Sequence, residues 1–367
     1  NNLYMREPAY KHVLQARDMK LDGFRKSDSS VIDDMGEELA RYGYDIEALR
    51  KYLERKDVMT VIIRDGKLDD RVVAAAAVSR LDSIDLLKAF EDQDIAAYIR
   101  NKAAGAIAVI GGLFFSRESS MTNLGQTALI EMISELLARD YTYVVYHPCQ
   151  QAGLNKSIVD IVKKQGFVNI ASEGAKPIYA VDMRSPVIIF KNVDTMIKHP
   201  LNKNETVLKA VENAHNRLLK VLTSIYPSEL IVSYNSGIMH HKMINLIARL
   251  NGVDTQPYKE KAYGDCMVVP FGKILAGVAV PNTVTKTLHT EKYFSRDVSD
   301  FTVEESSFYS TLENQIRTIK SFNRPVILVD DLLHKGYRMN AIDPILKAND
   351  VEVVETVAGV QTGRGRD

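Results

Sequence analysis

The stretch VILVDDLLHKGYRM, residues 326–339, decides how the second half of this chain is read. Four apolar residues that suit a buried strand run directly into Asp330 and Asp331, and Gly336 follows between Lys335 and Arg338. Two adjacent carboxylates at a strand end repel each other, so water or a partner has to relieve them. In an open parallel sheet, ligands gather beyond the carboxyl ends of the strands. A helix after such a loop offers free N–H groups to an anion, and Gly336 permits close backbone approach. Paired carboxylates can accept hydrogen bonds from vicinal sugar hydroxyls. The combination predicts a seat for a ribose 5-phosphate.

Working outward, the sequence predicts a helix at 207–226, a strand ELIVSY at 229–234, a turn at Asn235, Ser236 and Gly237, and a helix at 239–252. Strands around a bend at Gly272 follow within 266–280, then a polar stretch at 281–300, a helix at 304–322, the quoted strand, a helix at 339–350 and a last strand at 351–360. Strands alternating with helices imply a parallel α/β sheet.

This half resembles the type I phosphoribosyltransferase fold, whose signature is an apolar strand, two acids and a glycine-bearing loop with two hydroxyl residues. Here Lys335 and Arg338 stand at the hydroxyl positions. The resemblance implies that Asp330 and Asp331 bind the ribose hydroxyls and that His334, Lys335, Gly336, Tyr337 and Arg338 wrap the 5-phosphate. It also implies that Asn235, Ser236 and Gly237 form the pyrophosphate loop, that 281–300 is the mobile covering loop, and that magnesium enters with phosphoribosyl pyrophosphate. A nucleotide-hydrolase reading of the paired acids fails, because no GxxxxGK[ST] loop occurs. Solvated carboxylates at an exposed strand end are the plain alternative.

In the first half, residues 31–57 space apolar residues at three and four, with a break at Gly43. Residues 58–81 read as two strands around an Asp65–Gly66 turn. A strand GAIAVIGGLFF (105–115), a helix (124–140), a strand (141–147), a helix ending at Gly166 and strands at 177–183 and 186–190 complete the half. This order resembles the GNAT acetyltransferase fold over 20–182. The resemblance implies that Leu124, Gly125, Gln126 and Thr127 hold the pyrophosphate of acetyl-CoA at a helix N-terminus. Thr122 replaces the family's basic or amide residue, and Val162 replaces its proton-donating tyrosine. Glu118 and Tyr146 are the nearby acid–base candidates, and Cys149 has only His147 close to it in sequence.

Lys+Arg and Asp+Glu both number 47, so no global field favours nucleic acid or an anionic membrane. The two cysteines, Cys149 and Cys266, form no CxxC pair, which fits a cytoplasmic protein and excludes a disulfide framework. The apolar run at 105–115 is shorter than the roughly 20 residues a bilayer needs. Adjacent His240 and His241 point apart on a helix and cannot share a metal.

The expectation is an α/β protein of two domains: a GNAT-like mixed sheet (1–190), a linker (191–206) and a parallel-sheet phosphoribosyltransferase-like domain (207–367). Both chain ends are expected to reflect excision from a longer bacterial protein whose other domains are partners; a resemblance to accessory regions of large bacterial proteins with a cytidylyltransferase-like domain implies a helper role in nucleotidyl transfer. The expected function is binding of a ribose 5-phosphate ligand, a small molecule that is phosphoribosyl pyrophosphate or a nucleotide, with phosphoribosyl transfer as its chemistry, coupled to an acyl-CoA-binding-like domain. A non-catalytic sensor or scaffold and an N-acetyltransferase are the alternatives.

Overall fold

The computed structural model describes residues 19–26, 30–41, 43–117, 123–148, 155–191, 197, 200–253, 263–271, 280, 282–297, 300–307, 309–333 and 336–361. They divide into two compact units, one ending at Asn235 and one starting at Ser236. Among the described residues no helix is long and apolar enough to cross a membrane.

The first unit contains strands β1 (Met19–Lys26), β2 (Val58–Asp65), β3 (Arg71–Leu81), β4 (Ala106–Phe115), β5 (Tyr141–Tyr146), β6 (Val168–Asn169), β7 (Tyr179–Lys191) and β8 (Glu229–Asn235). Its helices are α1 (Ser30–Arg41), α2 (Ile46–Leu53), α3 (Leu86–Phe90), α4 (Gln93–Lys102), α5 (Leu124–Ala138), α6 (Lys156–Lys164) and α7 (Glu205–Ile225). The sheet runs β1-β2-β3-β4-β5-β7-β6, with β8 on the far half of β7. It is mixed: β1 to β4 are antiparallel neighbours, while β4–β5 and β7–β8 are parallel.

Alternation along each strand sends neighbouring residues to opposite faces. Val61, Ile63, Ala108, Ile110 and Val181 meet Leu129, Met132, Ile133 and Val162 of α5 and α6. On the other face, Met35, Leu39, Leu49 and Leu53 of α1 and α2 cover Ile62, Ala75, Ala77 and Phe114. Farther along that face, Leu86, Ile95 and Ile99 of α3 and α4 cover Ile107, Val109 and Val145. The predicted break between α1 and α2 is present, since Gly43 takes φ 80° and the Asp45 carboxylate accepts from Ala48 N–H at 3.0 Å to cap α2.

The second unit holds β9 (Met267–Pro270), β10 (Val284–Thr285), β11 (Thr290–Phe294), β12 (Phe301–Glu305), β13 (Val326–Leu333) and β14 (Val353–Gln361) with α8 (Ser236–Leu250), α9 (Leu312–Lys320) and α10 (Tyr337–Ala348). Four strands form a sheet in the order β10-β9-β13-β14, parallel throughout. β11 and β12 make a separate antiparallel ribbon. The run Val326–Val329 is buried as the apolar quartet predicts. Ile316 and Ile319 of α9 and Ile342 and Leu346 of α10 close one face.

A side-chain amide ties α8 to the start of β9. Asn251 donates from Nδ2 to the Cys266 carbonyl at 3.0 Å, and its Oδ1 accepts from Cys266 N–H at 2.9 Å. Asn251→Ala strands both main-chain groups, so the second unit should lose about 2 kcal/mol in denaturant unfolding.

The structure differs from the sequence reading in four places. β8 pairs with β7, so residues 207–235 belong with the first sheet and not at the start of the second domain. The helix expected at 304–322 begins only at Leu312, where Thr311 caps it, because residues 301–305 alternate in exposure as a strand. The stretch 281–300 contains β10 and β11 in place of an unstructured covering loop. Elements β1, α3 and α4 were not foreseen, and Gly272 lies outside the described residues.

Candidate functional site

The first candidate is the fork between β4 and β5. Their parallel pairing ends at Ile110 and Tyr146, where His147 N–H donates to the Ile110 carbonyl at 3.1 Å. Beyond it, among the described residues, β4 continues to pair with β3 alone. Gly112 faces Ala77 and Ile110 faces Val78, so Gly111 is the extra residue of a β-bulge. The bulge shifts the phase of the strand: Ile110 and Leu113 both join the α5 face, and Phe114 turns to α1 and α2. Ser116 N–H donates to the Val73 carbonyl at 2.7 Å. By alternation from there, the main-chain groups of Leu113 and Phe115 point away from β3 into the fork.

The fork is lined from both sides. Leu39 and Tyr44 come from the α1–α2 corner and Asn155 and Ile158 from the start of α6, leaving a cavity of about 10 Å³. The Tyr44 hydroxyl donates to the Leu113 carbonyl at 3.4 Å, and burial holds its proton on by raising its pKa. Tyr52 lies on the bulge itself: a Cβ on Gly111 would sit 2.4 Å from its hydroxyl oxygen.

At the mouth of the fork α5 begins. Its N-cap residue Asn123 takes φ 59° and makes no side-chain cap. The first helical bond runs from Thr127 N–H to the Asn123 carbonyl at 2.9 Å, so the N–H groups of Leu124, Gly125 and Gln126 precede the helical ladder. Such a helix start suits an anion. Gly125 has a packing reason as well, since a Cβ there would meet Phe115 Cδ1 at 2.6 Å and Ile161 Cδ1 at 2.9 Å. The Thr127 hydroxyl donates to the Asn123 carbonyl at 3.1 Å.

Val162 and Tyr146 are both fully buried in the core. Burial lowers the pKa of His147, aided by Lys176, and its ring stands edge-on to Phe90 with centroids 5.5 Å apart. Thr122, Glu118 and Cys149 lie outside the described residues. A larger cavity, about 210 Å³, opens between α1 and β3. Its lining acids are already engaged, Asp34 by Val72 N–H at 2.8 Å and Glu38 by Arg117 N–H at 2.8 Å.

The second candidate is the carboxyl end of β13. Asp330 is 4% exposed. Its Oδ1 accepts from Asp331 N–H at 2.9 Å and from Arg338 Nη1 at 3.3 Å. Burial pushes its carboxyl pKa up to about 6, against the pull of Arg338. The Arg338 guanidinium sits 5.5 Å over the Phe271 ring, and its Nε–H is buried without a partner. Phe271 is placed by its own N–H, which donates to the Val329 carbonyl at 3.0 Å. Asp331 is exposed. His240 on α8 lies near enough for Asp331 to raise its pKa, yet burial dominates and lowers it.

Gly336 takes φ 67° as the N-cap of α10 and leaves that end without a side-chain cap. Tyr337 packs edge-on against Phe301 of β12, centroids 5.2 Å apart. Asp330, Gly336, Tyr337 and Arg338 are therefore brought together, while His334 and Lys335 lie outside the described residues. Asn235 ends β8, and Ser236 and Gly237 open α8. The expected pyrophosphate loop is thus a direct strand-to-helix junction. Among the described residues no group of three or more His, Cys, Asp or Glu side chains can hold a metal ion.

Tyr44, Tyr52 and Phe271 escaped the sequence reading. The Gly111–Gly112 pair inside an apolar strand was the available signal, because glycine within a strand marks a bulge or a close approach.

No protein-family model matches the chain, and no curated protein matches it. Solved structures match part of it. A mutant agmatine N-acetyltransferase in its apo form is 11% identical, covering 45% of this chain and 99% of its own, with a TM-score of 0.32. AtaTR bound with AcCoA is 16% identical, covering 45% and 94%, with a TM-score of 0.29. Arabidopsis thaliana NAA60 in complex with a bisubstrate analogue is 12% identical, covering 44% and 99%, with a TM-score of 0.33. At these scores the likeness carries no argument for function.

Proposed function

We propose that the first unit binds an acyl-CoA in the fork between β4 and β5, with N-acyl transfer as its chemistry. The observation that supports this reading is the Gly111 bulge, which parts two paired parallel strands in mid-sheet and turns main-chain amides of β4 into the gap. Buried amides left without partners cost about 1–3 kcal/mol each. An extended arm bearing its own amides, such as pantetheine, would pair with them as a strand does. Its pyrophosphate would meet the free N–H groups of Leu124, Gly125 and Gln126.

Transfer requires an amine in its free-base form to attack the thioester carbonyl. The sulfur departs as a thiolate and takes up the proton that the amine nitrogen loses, so the step balances without a donor at Val162. Binding without transfer is the alternative carried by that valine.

Calorimetric titration with acetyl-CoA tests the reading, with Gln126→Glu as the partner variant. A carboxylate in the first turn of α5 stabilises the helix but repels an anion. Binding should weaken about 5-fold, more at low salt, while thermal stability holds or rises. No heat from acetyl-CoA up to millimolar concentration would reject the reading.

A second reading concerns the second unit. The sugar-phosphate seat expected from the sequence finds support in β13, which is central in a parallel sheet and leads through left-handed Gly336 into the uncapped start of α10. Magnesium would arrive with a diphosphate substrate.

A further inference from the structure

We propose that Arg338 is the anion-recognising side chain at the end of β13, and that Asp330 is its internal competitor and not a ligand for ribose hydroxyls. This rests on the sugar-phosphate reading and changes what the paired acids do within it.

Three observations carry it. First, Asp330 offers a sugar little, because the residue is buried and its Oδ1 already accepts from both Asp331 N–H and Arg338 Nη1, which leaves Oδ2 alone for a ligand. Second, Arg338 stands where a ligand belongs, crossing from the start of α10 to the ends of β13 and β9, with Phe271 beneath its guanidinium. Third, the guanidinium is only partly used. It is 27% exposed, makes a single bond of 3.3 Å to Asp330, and keeps a buried Nε–H with no acceptor. A planar fork with spare donors suits two oxygens of a phosphate or sulfate group.

An anion and Asp330 therefore compete for one cation. Removing the charge of Asp330 should release Arg338 to the ligand. Protonation does the same: the carboxyl is neutral below about pH 6, so anion binding should tighten as pH falls through that value. The groups facing the pair are Asp331 on β13, Arg338 on α10 and, toward Asp331, His240 on α8, while the residue after β9 is the uncharged Phe271. Protonation of His240 favours anions in the same direction. The wild type must therefore be compared with a variant that keeps His240.

The test is titration of the full chain with sodium sulfate, whose charge is constant across the window, at pH 5.0 and 7.5, followed by amide chemical shifts. At pH 7.5, Asp330→Asn should bind sulfate about 10-fold more tightly than the wild type. Between pH 7.5 and 5.0 the wild type should gain about 10-fold and Asp330→Asn less than 3-fold. Arg338→Gln should lose the site at both pH values. Equal or weaker binding by Asp330→Asn at pH 7.5 overturns the proposal. If Asp330→Asn does not fold, the wild-type series decides, and sulfate binding that does not tighten toward pH 5.0 overturns it.

Magnesium phosphoribosyl pyrophosphate separates the two levels of the claim. Binding to the wild type that Asp330→Asn abolishes would mean that Asp330 holds the ribose, which overturns the competitor role alone. If neither sulfate nor phosphoribosyl pyrophosphate binds any of the three proteins, the sugar-phosphate reading falls with it.

Discussion

Gly166→Ala should destabilise the first unit by about 2–5 kcal/mol, a loss that sums a left-handed backbone penalty of about 1–2 kcal/mol and overpacking of about 1–3 kcal/mol. Gly166 closes α6 at φ 91°, and a Cβ there would lie 2.0 Å from the Glu229 carbonyl oxygen. That obstacle is main chain and cannot rotate away. Two further bonds fix the approach: Ile231 N–H donates to the Gln165 carbonyl at 2.9 Å, and Asp182 N–H to the Ser228 carbonyl at 3.0 Å. For a unit of this size the melting temperature should fall by roughly 4–20 °C. The size of the loss also reports where β8 sits. A drop of only about 1 kcal/mol, the backbone penalty alone, would show that β8 does not lie against α6.

Gly111→Val should abolish acyl-CoA binding, more than 100-fold by calorimetry, and cost about 1–3 kcal/mol of stability. The added side chain would occupy the space of the Tyr52 hydroxyl and ring, 2.4 and 2.5 Å from the Cβ position. Either Tyr52 leaves the bulge or the bulge straightens, and straightening restores the phase that sends Leu113 and Phe114 to the wrong faces. The double variant with Tyr52→Ala removes the obstacle and should recover most of the stability. Binding that survives Gly111→Val would show that the fork is not the acyl-CoA site, whatever the stability does.

Local periodicity made most elements legible. The α1–α2 break at Gly43, the β2–β3 hairpin at Asp65, the apolar quartet of β13 and the carboxylates at its end all follow from short-range rules. The boundary at 191–206 misled because Pro200 and a loss of periodicity look like a linker, whereas pairing of β8 with β7 is a long-range choice that no window of sequence contains. The same limit hid the partners of the candidate groups. Paired acids announce a repulsion to be relieved, but the sequence does not say that Arg338 relieves it. Gly125 fits a phosphate-loop pattern, yet only the folded chain brings Phe115 and Ile161 against it. Tyr44 reaches Leu113 across 69 positions of chain.

The length of β7 sets where this protein can be cut. Its first part is held by β5 and β6, and among the described residues Val187–Lys191 find their strand partner in β8 alone. A fragment ending near residue 190, the natural choice from the sequence, would bare that row of donors and acceptors to any passing strand and invite self-association. Ending it at Asn235 keeps the edge covered, so expression trials of the isolated first unit belong at that junction.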